Sequence, residues 1–333
     1  LFHMILLIIN VKHLKKNQPL ISIAMAVFNG SRYINLQIDS ILTQTYSNIE
    51  LVIIDDCSTD STIELIEPYL SDERVRLIKN DRNIGYKKNF EKAIGLCAGE
   101  YIALSDQDDI WFYNKLDYLI SNIGDYDLIH SDAHIIDGDN MIVHSSYSKY
   151  SSKSLNNTPR NIILNGSVTG CTCMFNSRIC SDILPFPDGD YVHDRWISLI
   201  SSVSEGITYA DLPLISYRQH SDNISGASSF SWDVKKMAYS IFAKNRQNGI
   251  LQHFLFASHV KGFFSKNHYI YNDLIRAHKF YKTLKNGFLI EFISHSFYFR
   301  NTLNSGSPLY LRFLKYMNLI KIVLKNKYTT NYD

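Results

Sequence analysis

The chain of 333 residues is poor in cysteine and has no long apolar run or internal repeat. Its five cysteines are odd in number and include no Cys-x-x-Cys pair, which argues against a zinc site or a disulfide framework. Free thiols in a reducing cytoplasm are the expected state. The apolar run at residues 5–9 is too short to span a bilayer, and no other stretch reaches the ~18 apolar residues that a spanning helix needs. We therefore expect a protein that does not cross a membrane.

The composition is that of a soluble globular protein, with 45% hydrophobic and 20% charged residues. The net charge of +2 hides a strong asymmetry. Residues 1–228 hold 18 Lys and Arg against 28 Asp and Glu, a balance of −10, whereas residues 229–333 hold 16 against 4, a balance of +12. The basic region indicates contact with an anionic surface, and the acidic part argues against nucleic acid. An anionic membrane surface is one candidate partner, and packing of a helical subdomain on the acidic part is the alternative.

Strand and helix patterns alternate over the N-terminal third of the chain. They predict strands at residues 21–27, 50–54, 75–79 and 101–104. They predict helices at residues 33–44, 61–70 and 89–98. This alternation predicts an α/β fold with a doubly wound, mostly parallel sheet and helices on both faces. Later in the chain we predict short strands at 128–130 and 134–136, a long loop at 145–160 and a C-terminal helical region from residue 229.

Three carboxylates, in the sequence Asp106-Gln107-Asp108-Asp109, directly follow the predicted strand at 101–104. Like charges that close repel one another, and a hard cation such as Mg²⁺ or Mn²⁺ is the usual compensation. The alternative is a solvated acidic turn. Ligands of open α/β sheets bind outside the carboxyl ends of the strands, where Asn29 and the pair Asp55-Asp56 also fall. We therefore predict a binding site at this edge of the sheet.

Several motifs occur in the order typical of one enzyme family. They are residues 21–30 (ISIAMAVFNG), 40–45 (SILTQT), 50–60 (ELVIIDDCSTD), 83–85, 89–90, 105–111 (SDQDDIW), 193–196 (HDRW) and 217–220 (YRQH). In these motifs the chain resembles a family 2 glycosyltransferase, which implies the GT-A fold. The Asp-Gln-Asp-Asp-Ile-Trp version resembles the bacterial branch that builds cell-surface polysaccharides, including rhamnosyltransferases. The implied organisation is an N-terminal extension at 1–19, a catalytic domain at 20–228 and a basic helical region at 229–333.

The resemblance implies roles for residues on the donor side. Asp56, with backbone near Ala26, would contact the nucleobase; Asp106 would contact ribose or metal-bound water, and Asp108 would bind the metal. The full nucleotide-binding set is Ala26, Asn29, Asp55, Asp56, Lys87, Asn89, Asp106 and Gln107, and the metal set is Asp106, Asp108 and His220. Alternatives stay open for five positions: a helix N-cap for Asp55, Asp56 and Asp109, surface charge for Lys87, and a core histidine for His220.

On the acceptor side the resemblance implies that Asp194 is the catalytic base, which takes the proton of the acceptor hydroxyl during attack on the anomeric carbon. The residues implied to bind the acceptor are Trp111, Gly170, His193, Arg195, Trp196 and Arg218. Large aromatic residues beside a site are often packing, so Trp111 and Trp196 keep that alternative. Cys171, next to Gly170, is expected to have no chemistry.

The expected function is inverting, metal-dependent sugar transfer from dTDP-rhamnose or a UDP-sugar to a growing surface glycan on a lipid carrier. The enzyme would be cytoplasmic and peripheral at the inner face of the plasma membrane. One alternative is a nucleotidyltransferase of sugar phosphates, which would need a Gly-rich, basic loop after the first strand; residues 28–31 (FNGS) are not such a loop. The other is a catalytically degenerate, membrane-attached scaffold.

Overall fold

The computed structural model describes residues 18–151, 155–159, 161–162, 166–187 and 192–219. The chain divides into two compact units. The first consists of residues up to 134, 170–184 and 210–218. The second consists of residues 135–169, 185–209 and the chain from 219 onward, of which only Gln219 is described.

Strands and helices alternate from the first described strand to Asn122. In chain order they are β1 (Ile21–Val27), α1 (Ile34–Leu42), β2 (Ile49–Asp55), α2 (Thr62–Ile66), β3 (Val75–Lys79), α3 (Tyr86–Leu96), β4 (Tyr101–Ser105), β5 (Ile110–Trp111) and α4 (Lys115–Asn122). The later elements are β6 (Leu128–Ile136), β7 (Ile142–His144), α5 (Tyr147–Ser151), β8 (Cys173–Asn176), α6 (Cys180–Ile183), α7 (His193–Val203) and β9 (Ile207–Arg218).

The sheet of the first unit is mixed. Its strand order is β3-β2-β1-β4-β8-β6-β9-β5. The first four strands pair in parallel, as the alternating pattern predicted, with Ile21 opposite both Ile49 and Tyr101. Strand β8 is antiparallel to β4 and β6, and β5 is antiparallel to β9. The doubly wound parallel arrangement is therefore confirmed for β1–β4, and β8, the strand next to β4, runs in the opposite direction.

Apart from Ser22, Glu50 and Asp55, strands β1 and β2 are apolar, which is typical of strands covered on both faces. In β1 and β2 the side chains of Ile23, Met25, Leu51 and Ile53 have no exposed surface. Full burial of a side chain of this size contributes about 1.5–3 kcal/mol. The same parallel pairing brings the carboxyl ends of β2, β1 and β4 side by side, so residues that follow these strands share one edge of the sheet.

Four predicted elements differ from the observed ones. The predicted helix at 61–70 stops at Ile66 and continues as a 3₁₀ turn over Glu67–Ser71, because Pro68 cannot donate the hydrogen bond that an α-helix requires. The helix predicted at 89–98 begins earlier, at Tyr86, after Gly85 with φ +85°. The two strands predicted near 130 form one strand, β6, and the predicted loop at 145–160 contains α5.

The second unit contains a short hairpin and one longer helix. Strand β7 pairs with the end of β6, with His144 opposite Ile135. Helix α7 begins at His193 and buries Trp196, Ile197, Leu199 and Ile200. Among the described residues, no helix has the length and apolar character that crossing a bilayer requires. The basic region at 229–333 lies outside the described residues, so its predicted boundary and helical structure stay predictions.

Candidate active site

The loop that follows β1 is held by side chains from neighbouring strand ends. The backbone N–H of Phe28 donates to Gln107 Oε1 (2.8 Å), and that of Asn29 donates to Ser58 Oγ (2.9 Å). The N–H of Gly30 donates to Thr62 Oγ1 (2.8 Å), and that of Ser31 donates to Asp60. Four successive N–H groups are thus bonded to protein atoms. The loop cannot present them to a triphosphate as a phosphate-binding loop does.

Asn29 lies in the left-handed region, with φ 50°, where asparagine is tolerated better than most residues. Its side-chain oxygen accepts a hydrogen bond from the Thr59 N–H (2.8 Å). Asn29 therefore ties the end of β1 to the segment after β2. Ala26, which precedes it on β1, lies in the parallel ladder opposite Ile54, so only its backbone and a single methyl group are offered to a ligand.

Asp55, at the end of β2, is buried, and its carboxylate accepts hydrogen bonds from the N–H (3.0 Å) and hydroxyl of Ser58. This closes a turn within the chain. The N-cap alternative for Asp55 is wrong, because α2 begins later, at Thr62, and the carboxylate that receives the Thr62 N–H belongs to Asp60.

Asp56 is buried as well, and it organises the loop that leads into α3. Its carboxylate accepts hydrogen bonds from Asn80 Nδ2 (2.9 Å) and from the N–H groups of Ile84 and Gly85 (both 2.8 Å). A carboxylate has about four lone-pair sites, so about one remains for a ligand. The predicted contact with a nucleobase stays a prediction.

Asn89 and Lys87 lie in the first turns of α3. Asn89 is buried; its amide donates to the Ile54 carbonyl (2.7 Å), and its oxygen accepts from Asn80 (2.9 Å). These bonds position the loop beside Asp56, so any effect of Asn89 on a nucleotide acts through that loop. Lys87 is half-buried.

The acidic segment after β4 is attached to β1 at its first half. The Gln107 side chain accepts from the Phe28 N–H and donates to the Phe28 carbonyl (3.1 Å). A Cβ on Gly30 would lie only 2.6 Å from Gln107 Oε1, so a larger residue there would displace the Gln107 side chain from this position. Asp106 itself is half-buried, and its carbonyl accepts from the Ser105 hydroxyl (2.9 Å). The structure thus gives Gln107 a bridging position, and its predicted nucleotide contact stays a prediction.

The second half of the segment is attached to the end of β9. Arg218 Nε donates to the Asp108 carbonyl (2.6 Å), and the Arg218 N–H donates to Asp109 Oδ1 (3.0 Å). Asp109 is fully buried, whereas Asp108 is half-buried. The N-cap alternative for Asp109 is wrong, because the residue precedes strand β5 and the N-cap of α4 is Asn114.

The buried carboxyl of Asp109 lies close to two other carboxylates, and its pKa is shifted. Burial, followed by the charges of Asp108 and Asp106, raises the pKa of the Asp109 carboxyl well above its ordinary value. Burial also raises the pKa of the Cys171 thiol well above its ordinary value, with a further contribution from Asp109, to which the thiol is hydrogen-bonded. Cys171 is therefore a thiol that donates to a buried carboxyl, and this agrees with its expected lack of chemistry.

A fully buried lysine lies next to this cluster. Lys115 Nζ donates to the Cys171 carbonyl (2.7 Å) and lies 3.5 Å from the centre of the Trp111 ring. Burial lowers the pKa of Lys115 to about 8, against the opposing effect of Asp109 and Asp106. Sequence reasoning missed Lys115. The available signal was its position four residues after Trp111, at the start of a helix whose other inward residues are apolar.

The donor set fits a hard divalent cation. Asp106, Asp109 and Cys171 offer ligand atoms that lie within 4.8 Å of one another, the one such group among the described residues. Asp109 is committed to Arg218 and Cys171, so the half-buried Asp106 and Asp108 are the carboxylates best placed to hold Mg²⁺ or Mn²⁺ with substrate oxygens. A cation there would offset the repulsion that raises the pKa of Asp109. His220 lies outside the described residues, so its metal role stays a prediction.

The predicted acceptor-side residues fall in both units. In the first unit Trp111 and Gly170 are buried; Trp111 packs under Lys115, and its packing alternative accounts for this position. Arg218 is fully buried and contacts the acidic segment.

In the second unit, Asp194 and Arg195 are half-buried in the first turn of α7, while His193 and Trp196 are buried. His193 stacks on Phe186, with ring centres 6.5 Å apart. Trp196 has 2% of its surface exposed and belongs to the core of the helix, as its packing alternative predicted.

Comparisons with known proteins agree with this arrangement. The family model described as Glycosyl transferase family 2 matches residues 22–184, which include the acidic segment. A Haemophilus influenzae uncharacterized glycosyltransferase is 36% identical over 32% of this chain and 35% of its own length. A putative teichuronic acid biosynthesis glycosyltransferase of Bacillus subtilis is 26% identical over 68% of this chain and 88% of its own length.

An Escherichia coli UDP-Glc:alpha-D-GlcNAc-diphosphoundecaprenol beta-1,3-glucosyltransferase is 37% identical over 34% of this chain and 48% of its own length. The chain therefore covers 35% of the length of the Haemophilus influenzae relative and 48% of that of the Escherichia coli relative.

Two solved structures have the same fold. Staphylococcus aureus TarS 1–349 in complex with UDP-GlcNAc has a TM-score of 0.55 at 15% identity, over 86% of this chain and 81% of that one. Pyrobaculum calidifontis mannosyltransferase PcManGT, in complex with GDP-Man and Mn²⁺, has a TM-score of 0.50 at 14% identity, over 95% and 89%. The family model therefore places residues 22–184 in glycosyl transferase family 2, and the likeness to the solved structures shows that the chain has the GT-A fold.

Proposed function

We propose that the protein is a metal-dependent, inverting glycosyltransferase that transfers a sugar from a nucleotide-diphosphate sugar to a growing bacterial surface polysaccharide. The observation that carries the proposal is the acidic segment at the end of β4, where a buried and two half-buried carboxylates share a small volume. A divalent cation offsets that charge. When bound, Mg²⁺ or Mn²⁺ neutralises the negative charge that develops on the departing diphosphate.

The residues at the other two strand ends hold the nucleoside. Asp56 has about one lone-pair site beyond its three protein hydrogen bonds, which suits the single imide N–H of uracil or thymine. Ala26 contributes backbone and little side chain, and Asn29 keeps the β1 loop in place. Asp106 is half-buried beside these groups and would face ribose or metal-bound water.

Asp194 is the proposed general base of the single displacement. As the acceptor oxygen bonds to the anomeric carbon, its proton passes to the Asp194 carboxylate, and the bond to the nucleoside diphosphate breaks on the opposite face of the sugar. Support comes from its place in the first turn of α7, where the side chain is half-buried. Arg195 is the half-buried neighbour proposed to contact the acceptor.

A UDP-sugar is the favoured donor and dTDP-rhamnose the second candidate. TarS is seen with UDP-GlcNAc, and the E. coli relative is named for UDP-Glc and a diphosphoundecaprenol acceptor. By analogy, we propose a lipid-linked glycan acceptor and a position at the inner face of the plasma membrane, with the basic region at 229–333 against anionic lipid. Fold-level likeness alone fixes neither the sugar nor the linkage.

The nucleotidyltransferase alternative has less support. Such an enzyme needs free backbone N–H groups after the first strand to receive a triphosphate. Here the four N–H groups from Phe28 to Ser31 donate to protein side chains. A degenerate scaffold would not be expected to keep Asp56, Asp106, Asp108 and Asp194 together.

The proposal is tested by a hydrolysis and thermal-shift screen of UDP-, dTDP- and GDP-sugars with Mn²⁺, Mg²⁺ or EDTA. We expect one donor to raise Tm and to be slowly hydrolysed only when metal is present. Full activity of the protein in excess EDTA, or stabilisation by nucleoside triphosphates alone, would contradict the proposal.

The base assignment is tested separately by Asp194→Asn. Loss of a general base lowers the rate by about 10²–10⁴-fold, and donor affinity should barely change. The matched control is Asp211→Asn, an exposed aspartate on β9. Near-normal turnover of Asp194→Asn, or loss of nucleotide binding in its place, would show that Asp194 has another role.

A further inference from the structure

Arg218 is the last residue of β9, and its side chain has no exposed surface. Burial of a guanidinium is costly unless its donors and its charge are matched. The reason for burying a cation at this point of the sheet therefore has to lie in what the side chain contacts.

The Arg218 guanidinium has a hydrogen bond, an aromatic ring and two negative charges around it. Nε donates to the Asp108 carbonyl at 2.6 Å, and the guanidinium carbon lies 4.1 Å from the centre of the Tyr33 ring. The negative charges of Asp108 and Asp109 favour the charged form of Arg218, and burial lowers its pKa from the ordinary value. The planar group thus lies against Tyr33, the residue before α1, while its Nε donates to the acidic segment. A lysine has neither the planar face nor the Nε–H of this arrangement.

The backbone of β9 continues the same attachment along the segment. The Phe112 N–H donates to the Leu214 carbonyl (3.0 Å), and the β5 ladder sets Ile110 opposite Ser216. At the end of this ladder, the Arg218 N–H donates to Asp109 (3.0 Å). The chain from 108 to 112 is therefore bound along β9, with Arg218 at the end nearest the metal-binding carboxylates.

The contact with the Asp108 carbonyl fixes the orientation of that peptide. Because the Asp108 side chain leaves the Cα next to this peptide, fixing the peptide restricts where the carboxylate can lie. On the other side of Asp108, the Gln107 side chain is hydrogen-bonded to the backbone N–H and carbonyl of Phe28. Asp108 is thus placed between an anchored side chain, that of Gln107, and an anchored peptide, its own carbonyl group.

We propose that Arg218 is a positioning residue that fixes Asp108 for metal binding, rather than a residue that contacts the acceptor. The inference rests on the proposed function for the role of the metal, and it reassigns a residue that sequence reasoning placed with the acceptor. Arg218 acts through Asp108 and does not touch the transferred sugar.

The test uses the full chain and two variants. Arg218→Lys keeps the charge but loses the planar stacking and the Nε geometry. Arg178→Lys is the matched control: Arg178 Nε also donates to a buried aspartate, Asp127 (2.6 Å), but follows the end of β8 that pairs with the start of β4, away from the acidic segment.

Two readouts separate positioning from folding. In metal-free protein, hydrogen exchange of the peptide covering 106–112 should increase in Arg218→Lys and not in Arg178→Lys. Titration with Mn²⁺ at saturating UDP, followed by electron paramagnetic resonance, should show affinity reduced by about 10–100-fold in Arg218→Lys only, the range typical of lost supporting contacts.

Each outcome decides between roles. Equal exchange and equal Mn²⁺ affinity in the two variants would overturn the proposal, as would a loss of activity confined to the KM of the acceptor. If the wild type binds no Mn²⁺, the proposed function fails, while the metal-free exchange still decides whether Arg218 holds the segment. If Arg218→Lys does not fold, Tyr33→Leu, which removes the stacking ring alone, should give a smaller change in both readouts; no change would overturn the proposal.

Discussion

Two strands of this sheet, β2 and β4, lie on either side of β1 and end in acidic residues. The protein compensates the carboxylates at these two ends in different ways. At the end of β2, Asp55 accepts hydrogen bonds from Ser58. Asp56 accepts them from Asn80 and from the N–H groups of Ile84 and Gly85. At the end of β4, the buried Asp109 has its pKa raised by burial and by the charges of Asp108 and Asp106.

The comparison separates an acidic pair that hydrogen bonds within the protein hold in place from an acidic segment that we expect to need a bound cation. The β2 pair accepts hydrogen bonds from N–H and O–H donors of the protein itself. The β4 segment has carboxylates close enough to disturb one another, and a bound cation would relieve this. Carboxylates that look alike in sequence therefore differ in function because of the donors that the fold supplies to each.

The largest expected effect comes from removing a carboxylate at the β4 end. Asp108→Asn should lower activity by at least about 100-fold, because the metal contributes several kcal/mol to the transition state. The free energy of unfolding should change by less than about 0.5 kcal/mol, since the residue is half-buried at an edge. Steady-state kinetics and denaturant unfolding measure the two. Exposed Glu73→Gln is the control; equal activity of the two variants would remove the distinction between the strand ends.

Buried Lys115, next to the β4 end, should make the free energy of unfolding depend on pH. Lys115 has a pKa of about 8 in the folded protein, against an ordinary value of 10.5. The unfolded chain therefore binds the proton more tightly, so this residue makes stability rise as pH increases from about 8 to 10.5, by about 3 kcal/mol in total. In Lys115→Met that rise should disappear.

Urea unfolding at several pH values, with the surface variant Lys79→Met for comparison, measures this difference. Comparing variants removes the opposite contribution of Tyr46 and Tyr69, whose pKa values burial raises to about 12. Parallel pH profiles for the wild type and Lys115→Met would show that Lys115 titrates normally.

A smaller effect is expected when the β2 end is altered. Asp56→Asn replaces one acceptor oxygen by an N–H₂ group that faces a backbone N–H, and leaving such a donor unsatisfied costs about 1–3 kcal/mol. The variant should unfold more easily, with hydrogen exchange increased at residues 80–86. Exposed Asp81→Asn should change neither. If Asp56→Asn were as stable as the wild type, the hydrogen bonds that Asp56 accepts would not contribute to the stability of the fold.

The sequence predicted most of the first half of the fold because apolar, β-branched runs bounded by Asn-Gly or Asp residues leave few alternatives. β1 and β3 have the predicted bounds. The directions of the later strands were not predictable, since β6 and β8 carry the same apolar pattern whichever way they run. The end of α2 could have been predicted from Pro68.

The candidate site was predicted in outline but not in its contacts. The sequence indicates that Asp55, Asp56 and Asp106–Asp109 share a sheet edge, because they follow parallel strands. It does not indicate that Arg218, more than 100 residues later, binds the Asp108 carbonyl, since that contact depends on the antiparallel return of β9. The burial of Lys115 was missed for the same reason: its partner carbonyl belongs to Cys171, after a long excursion of the chain.

The most direct test of the account is calorimetric titration of the preferred nucleoside diphosphate into the wild type and Asp108→Asn, each with Mn²⁺ and with EDTA. If the β4 end binds a cation, EDTA should weaken the wild-type affinity by at least about 10-fold, a loss of about 1.4 kcal/mol, and Asp108→Asn should show little dependence on metal. Equal wild-type affinity in Mn²⁺ and in EDTA would contradict the claim that this strand end is a metal site.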